Sequence, residues 1–416
     1  MSQMYSSGPD ETAEAKLPRR DWILLPLLSI FTIAALALST EWYARRVFPQ
    51  SSGDIYQCII GGNILDGARG APNSDCRGNR ADSPITEYRL NSCGHRAGIE
   101  CGPKPKGTYR IVMIGSSFAI GEGVPMEKTV AAVLPADISS VTGRKVDLYN
   151  EGMFSEIPKV LAPHFDQVMA AQPDMVLWIL TPEDVKSESV VITAAGSPQN
   201  SGKGESAPPK KLSLFGRILR RVRATFADRP ATEAATVVFH HYVDMYSNRL
   251  ISLVLLRHVL DADQSRYVES YLANPDAEFL NAKPGIGWKN NLKLFDRDDA
   301  EMEASASAAG IPLVVALLPN RAQAAIISMG KWPTGIDPFK VDGDLRAIVS
   351  GHGGIYVDIL PEFRNVLNSE QYFYLVNGHP DERGSALVAG TLAKALTGGA
   401  VPALSARPRD QLEQAR

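Results

Sequence analysis

Uncharged residues run without a break from Trp22 to Thr40, about 19 positions that as a helix would span roughly 28 Å, close to the hydrocarbon thickness of a bilayer. Behind this run, Glu41 to Gly107 shows little periodicity. A different pattern then takes over. Short apolar runs rich in β-branched residues lie at Arg110 to Ile114, Lys145 to Tyr149, Met175 to Leu180, Ile311 to Leu318 and Gly354 to Ile359. Runs of that kind fill strands buried on both faces. Between and after them, helical patterns occupy about 126–141, 156–171, 298–309, 342–350 and 381–396, with Pro135 expected to kink or split the first. Tyr372 to Leu375 reads as a last short extended piece. Strand and helix alternating at this spacing predict an α/β fold with a parallel sheet and right-handed crossovers.

The alternation is interrupted once. Residues 194–209 are rich in Gly, Ser, Pro and Lys and read as a loop. Residues 210–228 form a cationic amphipathic pattern, with Leu212, Phe215, Leu219, Val222 and Phe226 among four arginines. Such a helix lies either on its own domain or on an anionic membrane surface. More helical sequence follows to about Ala273, carrying His240, His241 and His258; Asp244 sits one turn after His240, too few ligands for a metal site, and these histidines read as structural. The expected organisation is a cytoplasmic tail at 1–21, a transmembrane anchor at 22–41, an exported segment at 42–107, an α/β domain at 108–396 with an insertion at about 190–285, and a loose tail at 397–416.

Composition narrows the class. A charged fraction of 21% and a net charge of -3 leave no nucleic-acid footprint. Trp22, Trp42 and Tyr43 flank the apolar run as interfacial anchors. The rival to an anchor is a cleaved signal peptide, since Ala35-Leu36-Ala37 has the form of a cleavage site, but the run is longer than a signal core. All four cysteines, Cys58, Cys76, Cys93 and Cys101, fall in the segment after it. An even number in a loop-rich segment points to two disulfides, with three pairings open, and so to an oxidising compartment. A zinc site is the alternative, weakened by the lack of any C-x-x-C pair and with only His95 nearby. His95 has no evident partner and reads as structural. The expected location is therefore a membrane-anchored domain outside the cytoplasm, on the periplasmic face if the cell is bacterial.

The first strand ends in chemistry. It reads R-I-V-M-I-G-S-S-F-A-I-G-E-G-V from Arg110 to Val124, and a strand running through Gly-Ser-Ser into a helix sets a hydroxyl at the carboxyl edge of the sheet, where open α/β sheets bind ligands. Ser117 is the candidate nucleophile; the plainer reading is that Ser116 and Ser117 cap the helix. Neither G-x-G-x-x-G, nor a phosphate loop, nor a G-x-S-x-G elbow is present. The other strand ends carry Gly152 and Ser155, Glu183, and Asn320 with Arg321, while His379 precedes the last helix.

GSSFAIGEGV resembles the first block of the SGNH/GDSL hydrolases, with Ser116 where that family usually has Asp. Tyr149-Asn150-Glu151-Gly152 resembles the second block, Pro173 to Leu177 leads to the third, and Gly378-His379-Pro380 with Gly384 resembles the last, all in family order. The resemblance, to membrane-anchored bacterial members in particular, implies a three-layer flavodoxin-like fold with Ser117 as nucleophile, His379 as general base and no cofactor or metal. Oxyanion donors would come from Ser117 and from near Ser155 and Gly152. Two positions depart from the family pattern. Glu183 stands where a donor Asn is usual, and Asn377 or Val376 where an Asp supports the histidine. The implied activity is ester hydrolysis or acyl transfer on an acylated carbohydrate or other envelope ester, with Asn320 and Arg321 as substrate-binding candidates. The alternative is an impaired scaffold that binds polysaccharide or assembly partners. Protein partners cannot be read from the sequence.

Overall fold

The computed structural model describes residues 20–53, 55–60, 69–154, 156–186 and 250–405. Five parallel strands form the central sheet: β5 (Thr108–Gly115), β6 (Lys145–Asn150), β7 (Met175–Leu180), β8 (Leu313–Leu317) and β9 (Ile355–Val357), in the order β6-β5-β7-β8-β9. This is the 2-1-3-4-5 order of flavodoxin-like doubly wound sheets. The three central strands are apolar along their whole cores because both faces are covered: Ile111 to Ile114, Met175 to Trp178 and all of β8 have no accessible surface. Each such side chain contributes about 1.5–3 kcal/mol of burial, so the sheet's centre is also its most stable part.

The helices that cover it follow the expected pattern, with corrections at their ends. The split expected at Pro135 falls earlier. A short turn ends at Lys128, Thr129 caps the next helix by accepting from the Ala132 N–H, and α3 (Val130–Thr142) runs unbroken through Pro135. The segment predicted at 156–171 breaks into α4 (Pro158–Leu161) and α5 (Phe165–Ala170). Residues 372–375 form no strand; only an isolated bridge joins Phe373 to Pro380. Within the span expected to be an insertion, α6 (Ile251–Leu260) and α7 (Gln264–Leu272) are described, and Tyr267 and Val268 of α7 belong to the main core. The tail expected to be loose from Thr397 stays packed as far as Leu404, because Val401 and Leu404 are buried in that core. The cationic pattern at 210–228, His240, His241 and Asp244 lie outside the described residues.

At the amino end, α1 (Asp21–Val47) is the one described helix long and apolar enough to cross a membrane, and it continues a turn and a half past the predicted span. Two short antiparallel pairs follow: β1 (Ile59–Ile60) with β2 (Arg69–Gly70), and β3 (Asp75–Gly78) with β4 (Thr86–Arg89). The disulfides are Cys58–Cys76 and Cys93–Cys101, which decides the open pairing. Helix and disulfides together are compatible with a membrane-anchored domain outside the cytoplasm.

What this segment does for the domain is concentrated in Arg96. Fully buried, it lies over the Tyr88 ring at 4.4 Å and donates to the carbonyls of Ile120, Gly121 and Val124 at 2.7–3.0 Å. Burial pushes its pKa down to about 10. The Tyr88 hydroxyl accepts from the Gly123 N–H at 2.8 Å. The loop makes one such bond of its own, from the Val124 N–H to the Gly121 carbonyl, and the others are supplied from outside the sheet. Replacing Arg96 with Met is expected to lower unfolding free energy by about 3 kcal/mol, since four carbonyls, that of Glu87 included, lose charge-assisted bonds. An unchanged urea midpoint would contradict this account.

Candidate functional site

The nucleophile candidate owes its position to a glycine. Gly115 ends β5 at φ +138°, and a Cβ there would lie 2.3 Å from the Ile179 carbonyl oxygen on the neighbouring strand. Only glycine lets the chain leave the sheet this close to β7. Two residues later a single helical turn, α2 (Ser117–Ile120), begins. Ser116 stands at its cap position without a side-chain capping bond; its hydroxyl instead reaches the buried Asp184. Asp184 also accepts from Thr181 N and Oγ1 at 2.8 and 2.9 Å. Burial raises its pKa to about 6 despite these bonds. The capping reading thus fails for both serines, since the Ser117 hydroxyl too is engaged elsewhere.

His379 arrives on a tight turn ahead of α12 (Glu382–Ala395). Tyr374 N–H donates to the His379 carbonyl and Gly378 N–H to the Tyr374 carbonyl, both at 2.9 Å. The Tyr374 hydroxyl donates to the Gly123 carbonyl at 2.8 Å, fastening this turn to the nucleophile turn. Gly384 permits the approach of α12, since a Cβ there would meet the Tyr372 carbonyl oxygen at 2.3 Å. The result is His379 Nε2 at 2.7 Å from Ser117 Oγ, and His379 Nδ1 at 2.7 Å from Asn377 Oδ1. The Phe118 ring packs against the imidazole at 4.7 Å.

The tautomer follows from the neighbours. Asn377 Nδ2 lies 3.1 Å from Glu122 Oε1, and a carboxylate only accepts, so the amide nitrogen faces Glu122 and the amide oxygen faces the imidazole. An amide oxygen beside Nδ1 requires a proton on Nδ1. Nε2 is left with a lone pair directed at the Ser117 hydroxyl, the form that a general base needs.

Glu122 is the residue that sequence reasoning missed. It is 3% exposed, and its second oxygen, Oε2, has no hydrogen-bond partner among the described residues and lies 3.6 Å from His379 Nε2. Arg80 Nη1 stands 3.7 Å from Oε1. Burial pushes the His379 pKa below its ordinary value, with the Glu122 charge opposing and Arg80 reinforcing. The resting imidazole is therefore neutral, and a carboxylate stands ready beside the cation it would become. Nothing in the sequence distinguished Glu122 from a turn residue between two glycines. Asp82, also unforeseen, accepts from Val376 N and Asn377 N at 3.1 and 2.9 Å.

The other predicted residues do not converge on this pair in the same way. The Gly152 N–H is engaged by Asn150 Oδ1 at 3.0 Å, and Asn150 Nδ2 donates to the Ala119 carbonyl, so Gly152 supports the nucleophile turn rather than offering a free donor. Ser155 lies outside the described residues. Glu183 accepts from Asn320 Nδ2 at 2.6 Å, and the same Nδ2 donates to the Tyr271 hydroxyl at 2.9 Å. Asn320 Oδ1 caps α9 (Arg321–Met329) through the Gln323 N–H. Arg321 is no substrate-binding cation. It is 2% exposed, stacks on Tyr267 at 3.7 Å and donates to the carbonyls of Leu375 and Asp261. Its role is to hold the strand end against the histidine turn. His95, read as structural, bonds to the Tyr149 hydroxyl at 3.1 Å, and burial pushes its pKa down to about 4.

No known family model matches the chain, and no curated protein matches it as a relative.

The geometry has a pH signature. Because the His379 pKa is depressed below 6.5, Nε2 stays unprotonated through neutral pH and can accept the Ser117 proton there. Fluorophosphonate labelling of Ser117 is expected to stay level from about pH 8 to below the ordinary histidine range, then to fall as the imidazole protonates. A rate that halves at or above the ordinary value would show the burial argument to be wrong.

Proposed function

We propose that this protein is a membrane-anchored serine ester hydrolase or O-acyltransferase of SGNH/GDSL type, with its α/β domain on the periplasmic side of a bacterial inner membrane. The observation that carries this reading is the 2.7 Å contact between Ser117 Oγ and an imidazole whose other nitrogen is held by Asn377. Ser117 Oγ attacks the acyl carbon of the ester as Nε2 takes the hydroxyl proton. The tetrahedral intermediate collapses, the C–O bond to the alcohol breaks, and the departing oxygen takes that proton from Nε2. Water or a sugar hydroxyl then gives its proton to Nε2 and attacks the acyl-serine, which releases the acid or the acylated sugar and returns the proton to Ser117. The substrate class is an acylated carbohydrate or another envelope ester.

The role of the usual aspartate is divided here. Asn377 sets the tautomer, and Glu122 supplies the negative charge, acting on the imidazolium directly across 3.6 Å and through the Asn377 amide. The backbone N–H of Ser117, in the first turn of α2, is the oxyanion donor. A second reading draws on Gly152 and Glu183, whose groups are tied to Asn150 and Asn320: a scaffold of this fold that binds polysaccharide or assembly partners without turnover.

Short-chain aryl esters and a fluorophosphonate separate the two. Ser117→Ala is expected to abolish labelling and to reduce turnover at least about 1,000-fold. Labelling of a folded parent protein that matches the Ala variant favours the scaffold. Glu122→Gln removes the charge but keeps an acceptor for Asn377, and should lower kcat by about 10- to 100-fold with KM nearly unchanged. An unaltered kcat would remove Glu122 from the mechanism.

A further inference from the structure

The exit end of α1 is built into the catalytic turn rather than tethered to it. Glu41 accepts from the N–H groups of Ile251 and Ser252 at 3.1 and 2.9 Å, closing the start of α6. One turn on, Ala44 is fully buried in a small apolar cluster with Ile251 and Val254, edged by Phe48, Ala81 and Val376. Farther still, the Phe48 ring lies 4.9 Å from the ring of His258, near the end of α6. Helix α6 thus runs beside the last turns of α1 in the same direction. From it, His258 Nδ1 bonds to Asp82 Oδ2 at 3.0 Å, and Asp82 holds the backbone N–H groups of Val376 and Asn377. Burial disfavours the Asp82 carboxylate, but the bonds from His258 and the two N–H groups outweigh it and hold its pKa below the ordinary value. Asn377 in turn orients His379.

These contacts fix a height. Trp42 and Tyr43 are 62% and 54% exposed on the same stretch of α1, where aromatic side chains sit at the headgroup layer of a spanning helix. Ala44 lies two residues beyond Trp42, about 3 Å along the helix axis. Val376 packs into the Ala44 cluster, and at most about 11 Å of chain separates it from His379. Leu256 and Val259, on the outer side of α6, are 42% and 62% exposed beside this end of the anchor. A protein that acts on a soluble polymer is served by a flexible tether. A capped and buried strap that sets the site's distance and tilt matters when the substrate is itself held in the bilayer.

We infer that Ser117 acts on an acyl ester whose carrier is a membrane-borne amphiphile, with Asp82 as the positioning residue that links the anchor helix to the histidine turn. The inference rests on the hydrolase reading above. Its test uses the full chain reconstituted in phosphatidylcholine vesicles with two fluorogenic acetyl esters of one leaving group, one water-soluble and one carrying a long alkyl chain that partitions into the same vesicles. The membrane-borne ester is expected to be turned over with a kcat/KM at least about tenfold higher, and Ser117→Ala should silence both. Asp82→Asn should lower kcat about tenfold for both esters with KM little changed. Equal kcat/KM values for the two esters in the parent protein overturn the substrate assignment and leave the hydrolase reading standing. No turnover of either, with no fluorophosphonate labelling, overturns the hydrolase reading itself. A kcat untouched in a folded Asp82→Asn variant removes the link from anchor to site.

Discussion

Two side chains 262 positions apart cannot hold a 2.7 Å contact by themselves; the turns that carry them must already be locked. A single hydrogen bond contributes only about 1 kcal/mol net, far less than the entropy of ordering two loops. The locking is polar and buried, and most of it comes from the segment between α1 and the sheet. Arg96 and Tyr88 satisfy the backbone of the nucleophile turn, Asp82 satisfies that of the histidine turn, and Tyr374 ties one turn to the other. The 93–101 disulfide closes the loop that carries Arg96, which ties that bond to the integrity of the two turns.

Electrostatics in this recess follow from the same burial. Desolvation favours the neutral imidazole, which suits a base at rest, while Glu122 and Arg80 adjust the balance from opposite sides. A carboxylate bonded straight to Nδ1 would raise the histidine's proton affinity more strongly. Here the amide of Asn377 stands between, so charge and orientation come from different residues. The imidazole is aligned by a neutral amide at Nδ1, and a carboxylate oxygen stands 3.6 Å from its Nε2.

Much of the architecture was legible because it depends on short-range pattern. Apolar β-branched runs bounded by turn residues gave all five strands, and the same logic placed Ser117 at a strand end and His379 before the last helix, while Asn377 came from the family resemblance alone. The differences from expectation have physical causes. Pro135 is the sixth residue of α3, where its missing N–H costs only the bond to the Ala131 carbonyl, and the helix runs on through it; the break lies instead at the capping residue, Thr129. Arg321 at a strand end has the sequence look of an anion binder, yet an aromatic ring and two carbonyls bury it. Gly152 and Glu183 matched their motif positions, but Asn150 and Asn320 compete for their groups at close range.

By itself the sequence determined the order of elements, the apolar helix and the even set of cysteines behind it, and it singled out Ser117 and His379 as candidates, because each is marked by neighbouring residues. Only the tertiary structure decided the disulfide pairing, the carboxylate beside the histidine and the strap from α1 to the histidine turn. Those depend on which distant polar groups are buried against one another. Glu122 between two glycines and Asp82 in an aperiodic loop carry no local mark of that burial.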